Sequence, residues 1–137
     1  YGGSPVACAA ALTVLDVIQN ENLLERANQR GELFAKHLRE LQAQYPGFIL
    51  EVRQIGAMLA IELVSNGDVN QPNTQLTQGI IAKAADYGLI LLACGFYGNV
   101  IRFLPPLTIE TQILEYGIAK FKQLFQDVIT LQDVKSE

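Results

Sequence analysis

Residues 87–109, YGLILLACGFYGNVIRFLPPLTI, constrain this chain more than any other stretch. Between Asp86 and Glu110 the only formal charge is Arg102. The apolar run reads as two short strands, residues 89–93 and 100–104, joined by a Gly-rich turn. Side chains alternate faces along a strand, so Arg102 shares a face with Val100 and Leu104, while Ile101 and Phe103 point the other way. A guanidinium stays charged at any ordinary pH and is costly to bury without an anion. Arg102 therefore needs a carboxylate, a phosphate, or an exposed strand end where its head reaches water. In a structural role its stem packs and its head pairs with an acid such as Glu62, or simply reaches solvent. In a binding role its planar fork receives a substrate carboxylate in two parallel hydrogen bonds. Spacing alone does not choose between the two.

A length of 137 residues suits one domain with a real core. Half of the residues are hydrophobic and 18% are charged, which implies a globular chain. The net charge is −4 and the basic residues are scattered, so neither nucleic acid nor an anionic membrane is an expected partner. Cys8 and Cys94 lie far apart, and the single histidine, His37, stands among Lys36, Arg39 and Glu40. No metal site and no disulfide framework are expected, which fits a reducing cytoplasm. No export signal opens the residues, and the apolar run is interrupted too often by Gly, Asn, Arg and Pro to be a membrane helix. The chain opens at Tyr1 and its only methionine is Met58, so a piece of a longer protein is expected.

Along the chain, Tyr1-Gly2-Gly3 is a loop whose backbone can approach a ligand closely. Ser4-Pro5 then resembles a helix start, with Ser4 as N-cap and Pro5 at the first helical position. The helix over residues 6–19 is apolar nearly all round and should be buried between layers. A Gly-rich loop feeding a helix start also suits an anion, although most such loops are only turns. A second helix runs to about Tyr45 with the stripe Leu24, Ala27, Gly31, Phe34, Leu38, Leu41 and Tyr45 facing inward. Its charged residues, Arg30 among them, read as a solvated face. Strands are predicted over residues 48–55 and 58–64, joined at Gly56-Ala57, and residues 65–74 read as a mobile surface loop. A third helix covers residues 75–87 with Gly88 as its C-cap. A last helix, capped by Thr108, reaches about Ile129 on an inner line of Ile113, Gly117, Phe121, Leu124 and Val128, before a frayed polar tail. These elements predict an α+β fold: a small, largely antiparallel sheet with helices packed on one face.

The chain lacks GxGxxG, GxxxxGK[ST], HExxH, CxxC and GxSxG patterns. Its lysines, Lys135 apart, fall on charged or polar helix faces, and none sits in an apolar pocket that would depress its pKa for Schiff-base chemistry. No catalytic residue is identified, and the chain alone is expected to be inactive.

Three motifs, in order, carry a resemblance over nearly the whole chain. They are Tyr1-Gly2-Gly3-Ser4-Pro5 before an Ala-rich helix, Ile55-Gly56-Ala57-Met58-Leu59-Ala60-Ile61-Glu62-Leu63, and Gly88-Leu89-Ile90-Leu91-Leu92 followed by Asn99-Val100-Ile101-Arg102-Phe103-Leu104-Pro105-Pro106-Leu107. They are similar to the C-terminal part of class III pyridoxal-phosphate aminotransferases. The turn from Cys94 to Asn99 favours the 4-aminobutyrate branch over the ornithine and acetylornithine branches. The resemblance implies the C-terminal small domain of a fold-type I enzyme, with residues 1–20 as interdomain loop and buried helix and 21–137 as the domain proper. It implies a cytoplasmic homodimer using pyridoxal 5′-phosphate to move an amino group from 4-aminobutyrate to 2-oxoglutarate, so that the partners are small amino and 2-oxo acids. The Schiff-base lysine would lie upstream, and the threonine that reaches the cofactor phosphate across the dimer would directly precede Tyr1. Gly2 and Gly3 inherit a supporting role near that phosphate. Arg102 matches the arginine that holds the α-carboxylate of 2-oxoglutarate or glutamate. Rival expectations are an aminotransferase for another ω-amino acid, such as 5-aminovalerate or ornithine, and a non-catalytic module for carboxylate binding or dimerisation.

Overall fold

A computed structural model of the chain describes residues 2–133. It contains α1 (Pro5–Asn20), α2 (Leu23–Gln44), β1 (Ile49–Ile55), β2 (Met58–Ser65), β3 (Asp68–Pro72), α3 (Thr74–Lys83), β4 (Leu92–Cys94), β5 (Val100–Phe103) and α4 (Thr111–Asp133), with a 3₁₀ turn from Ala84 to Tyr87. The sheet runs β1-β2-β5-β4, with β3 paired to β2, and every pairing is antiparallel. The predicted α+β architecture is the observed one.

One face of the sheet makes the core. Leu59, Ile61 and Leu63 of β2 and Ile101 and Phe103 of β5 are at most 5% exposed. They meet Phe34, Leu38 and Leu41 of α2, Leu76 and Ile80 of α3, and Leu114, Ile118, Phe121 and Phe125 of α4. Aromatic rings tie the layers together. Phe103 lies 4.9 Å from Phe34 and 4.9 Å from Phe121, centroid to centroid. Such tilted pairs add roughly 0.5–1.5 kcal/mol each beyond the area they bury.

Several expectations are corrected. Leu23, not Leu24, enters the core: Leu23 is 6% exposed and Leu24 is 74%. Two adjacent leucines fit the same 3.6-residue stripe, and only the placement of α2 on the sheet selects one. Arg30 is not solvated. It is buried, and its Nε donates to the Ile109 carbonyl at 2.8 Å, with Nη2 donating to the same oxygen. Residues 65–74 are not a loop, because Asn66 and Gly67, with φ of 56° and 71°, turn β2 back into β3. An Asn-Gly pair with both φ positive is a type I′ hairpin signature.

The predicted strand over 89–93 is shortened to Leu92–Cys94. Continued pairing would set residues 90 and 89 against Leu104 and Pro105, and proline has no N–H to donate. Helix α4 starts at Thr111, not after Thr108, and its inner line begins at Leu114 and Ile118 while Ile113 is 56% exposed. Of the tail predicted to fray over residues 130–137, residues 130–133 instead continue α4, and the rest lies outside the described residues.

Helix α1 forms with Ser4 at its N-cap position and Pro5 in its first turn, but none of its residues is buried. Val6, Leu12 and Leu15 are 80%, 64% and 61% exposed. The expected burial is absent because, among the described residues, α1 packs mainly on α2 and no second layer covers it.

Candidate active-site wall

Arg102 sits at the centre of the uncovered face of the sheet. Ladder pairing sets it opposite Ala60 of β2 on one side and Leu92 of β4 on the other. The alternation places Ile101 and Phe103 in the core and turns Arg102 outward, as the strand pattern required. Arg102 contributes to the lining of two concavities. One, of about 420 Å³, reaches the core layer, where Phe34, Phe103, Leu114 and Phe121 line it together with Leu91 and Leu104. The other, of about 290 Å³, is walled by Arg53, Met58, Ala60, Cys94 and Val100. Both are mainly apolar, and the second is lined by Arg53 as well as Arg102.

The internal partner suggested for Arg102 is engaged elsewhere. Glu62 Oε2 accepts from Arg53 Nη1 at 2.6 Å, and Arg53 Nη1 also donates to Glu51 Oε2 at 2.8 Å. Among the described residues Arg102 has no acid within the 4.0 Å of an ion pair. Its head is presented to the open face without an internal anion.

Gly2 and Gly3 lie far from this face in sequence, ahead of α1. Gly3 has φ +82°, and a side chain built on either glycine would meet nothing within 4 Å. No side chain caps α1, so its first N–H groups are unoccupied by Ser4. The turn between β4 and β5 exposes Phe96 and Tyr97 at 96% and 61%. Asn99 closes this turn from inside, its Nδ2 donating to the Leu63 carbonyl at 2.9 Å. Among the described residues no group of His, Cys, Asp and Glu gathers to hold a metal ion, and no helix is long and apolar enough to cross a membrane.

Arg53 is the residue that sequence reading passed over. Its signal was present as arithmetic: a two-residue turn at Gly56-Ala57 pairs 55 with 58 and 53 with 60, which sets Arg53 one diagonal step from Glu62.

The Aminotransferase class-III family model matches residues 1–125. The chain is 48% identical over 128 residues to the 5-aminovalerate aminotransferase of Pseudomonas aeruginosa, covering 93% of this chain and 30% of that protein. It is 47% identical over 127 residues to the 4-aminobutyrate aminotransferase of Escherichia coli, with the same coverage of 93% and 30%. A solved Bacillus anthracis aminotransferase superposes with a TM-score of 0.83 at 29% identity, over 91% of this chain and 29% of that one. The chain thus spans about 30% of the length of these relatives. With its α+β sheet matching solved members and its family model covering residues 1–125, this chain belongs to the class-III aminotransferases.

Proposed function

We propose that this chain is the C-terminal small domain of an enzyme that transfers the amino group of 4-aminobutyrate to 2-oxoglutarate, giving succinate semialdehyde and glutamate. The observation that carries the reading is Arg102, an exposed arginine on the open sheet face that lines a largely apolar concavity and has no acid on its fork among the described residues. A guanidinium so placed fits a carboxylate in two parallel hydrogen bonds, and apolar walls strengthen that pairing by lowering the local dielectric. Fixing the carboxylate at a set distance from the reacting carbon is how such a residue serves amino transfer.

The proposed cofactor is pyridoxal 5′-phosphate, and this chain fits only one edge of it. Gly2 and Gly3 leave open space, and the uncapped N–H groups of α1 suit a phosphate oxygen. Lys36, Lys83, Lys120 and Lys122 lie on α2, α3 and α4, and none lines either concavity at Arg102. The amine that anchors the cofactor is therefore assigned to the rest of the enzyme. When bound, the cofactor supplies the electron sink for amino transfer. The reading includes a homodimer, supported by the exposed apolar side of α1, and a cytoplasmic setting, supported by the sparse cysteines.

The test is Arg102→Lys in the full-length enzyme, which keeps the charge and loses the fork. Binding of 2-oxoglutarate is expected to weaken by roughly 1.5–3 kcal/mol, read as a tenfold or larger rise in its KM. An unchanged KM would remove Arg102 from substrate binding. A second reading, 5-aminovalerate as the donor, is favoured by the 48% identity to an enzyme of that name. Comparing kcat/KM for the two donors, which differ by one methylene, separates them.

A further inference from the structure

We infer that Arg53 is a positioning residue: by holding Glu62, it keeps the Arg102 fork open for a substrate carboxylate. The inference rests on the carboxylate role proposed for Arg102.

Arg53, Ala60 and Arg102 form one cross-strand row on the open face of the sheet. Glu62 stands two residues along β2 from Ala60, opposite Glu51 on one side and Val100 on the other. It is thus a diagonal neighbour of both guanidiniums. Diagonal neighbours in an antiparallel sheet lie about 7–8 Å apart, within reach of Arg and Glu side chains. One carboxylate therefore stands between two cations that could each take it.

The contest is decided by Arg53, whose Nη1 is 2.6 Å from Glu62 Oε2. Glu51, opposite Glu62 in the ladder, accepts from the same nitrogen at 2.8 Å, so Arg53 is paired with two acids. That double pairing favours its charged form, the Glu62 hydrogen bond contributing most. It also offsets the repulsion that a bare Arg53 would exert on Arg102 across Ala60. Arg102 is left without an acid among the described residues. Were Glu62 released, its nearest unpaired cation across β2 would be Arg102. An Arg102–Glu62 pair would then occupy the donors that a substrate carboxylate requires, and substrate would have to displace it.

The experiment uses the full-length enzyme with its cofactor and reads KM for 2-oxoglutarate against kcat. Arg53→Met frees Glu62 and is expected to raise that KM about tenfold, the effect of one contested charged hydrogen bond, with a smaller change in kcat. Adding Glu62→Gln removes the competing charge, and the double variant is expected to return to within about threefold of the parent KM. A purely structural role for Arg53 predicts no such rescue, because the Arg53–Glu62 pair is still lost. Arg53→Lys, which keeps a cation beside Glu62, should show a smaller rise, and provides the same comparison with and without Glu62→Gln if Arg53→Met does not fold. No rise in KM on replacing Arg53, or a rise that Glu62→Gln leaves in place, overturns the inference. If Arg102→Lys raises KM in the same assay while the Arg53 variants do not, only the role of Arg53 fails. If Arg102→Lys has no effect, the carboxylate reading itself fails.

Discussion

Arg30 and Arg102 show how setting decides what a guanidinium does. Arg30 is 9% exposed, and both of its donating nitrogens converge on the Ile109 carbonyl, which pins the segment between β5 and α4 onto α2. A carbonyl satisfies the donors, so the side chain is a structural clamp. Arg102 has the same chemistry without the partner. At this scale the chain also carries an acid-sensitive contact. Glu40 accepts from Lys122 Nζ at 2.9 Å and lies 3.1 Å from His37 Nδ1. The Lys122 hydrogen bond foremost, then His37, lowers its pKa below the ordinary 4.5. The folded state therefore takes up this proton less readily than the unfolded chain. The contribution is present above the ordinary carboxylate value and is lost as pH falls through the depressed folded value. Lys122→Met should flatten the acid limb of a stability–pH curve by a small loss of stability at neutral pH, with little change once Glu40 is protonated. An identical acid limb in the variant would show that the contact carries no such dependence.

Among the elements, α2 and the β1–β2 turn approach so closely that only glycine fits between them. A Cβ on Gly31 would lie 1.8 Å from the Gly56 carbonyl oxygen and 2.6 Å from its carbon. Both are backbone atoms and cannot swing aside, so Gly31→Ala must push the helix off the turn. A loss of about 1–3 kcal/mol is expected, measured as a lower denaturant midpoint with an unchanged slope. A midpoint equal to the parent's would mean that the turn yields at no cost. The sequence placed Gly31 on the inner stripe of α2 correctly but could not show what it touched, since its neighbour lies on another element. The β2–β3 hairpin was legible in Asn66-Gly67 alone, yet the polar residues around it read as loop. Strand β3 has no buried residue, so no hydrophobic alternation marks it. In α4, the neighbours Ile113 and Leu114 both satisfy helical spacing. Contact with the sheet and with α2 and α3 turns Leu114 inward at 4% exposure.

For the molecule as a whole, the feature without a counterpart is α1. It carries Val6, Leu12, Val14 and Leu15, all more than half exposed, with no charge on its first turn. Contiguous exposed apolar surface of this kind drives association. The 137-residue chain studied alone should therefore self-associate, and Leu12→Glu with Leu15→Glu should shift it toward monomer by light scattering while the far-UV spectrum is retained. A chain already monomeric at high concentration would refute this. The sequence by itself determined the four helices and the strands other than β3 to within a few residues, the α+β class, the inward side of β2 and β5, and the outward direction of Arg102. These follow from periodicity and chain stiffness, which act over a few neighbouring residues. Tertiary structure alone decided which of two adjacent apolar residues enters the core and that Arg30 is buried against the Ile109 carbonyl. Those outcomes depend on distances between residues remote in the chain, and no local pattern encodes them. The fate of Arg102 lay between the two: its strand turned it outward, but only the capture of Glu62 by a neighbouring strand left it without an acid.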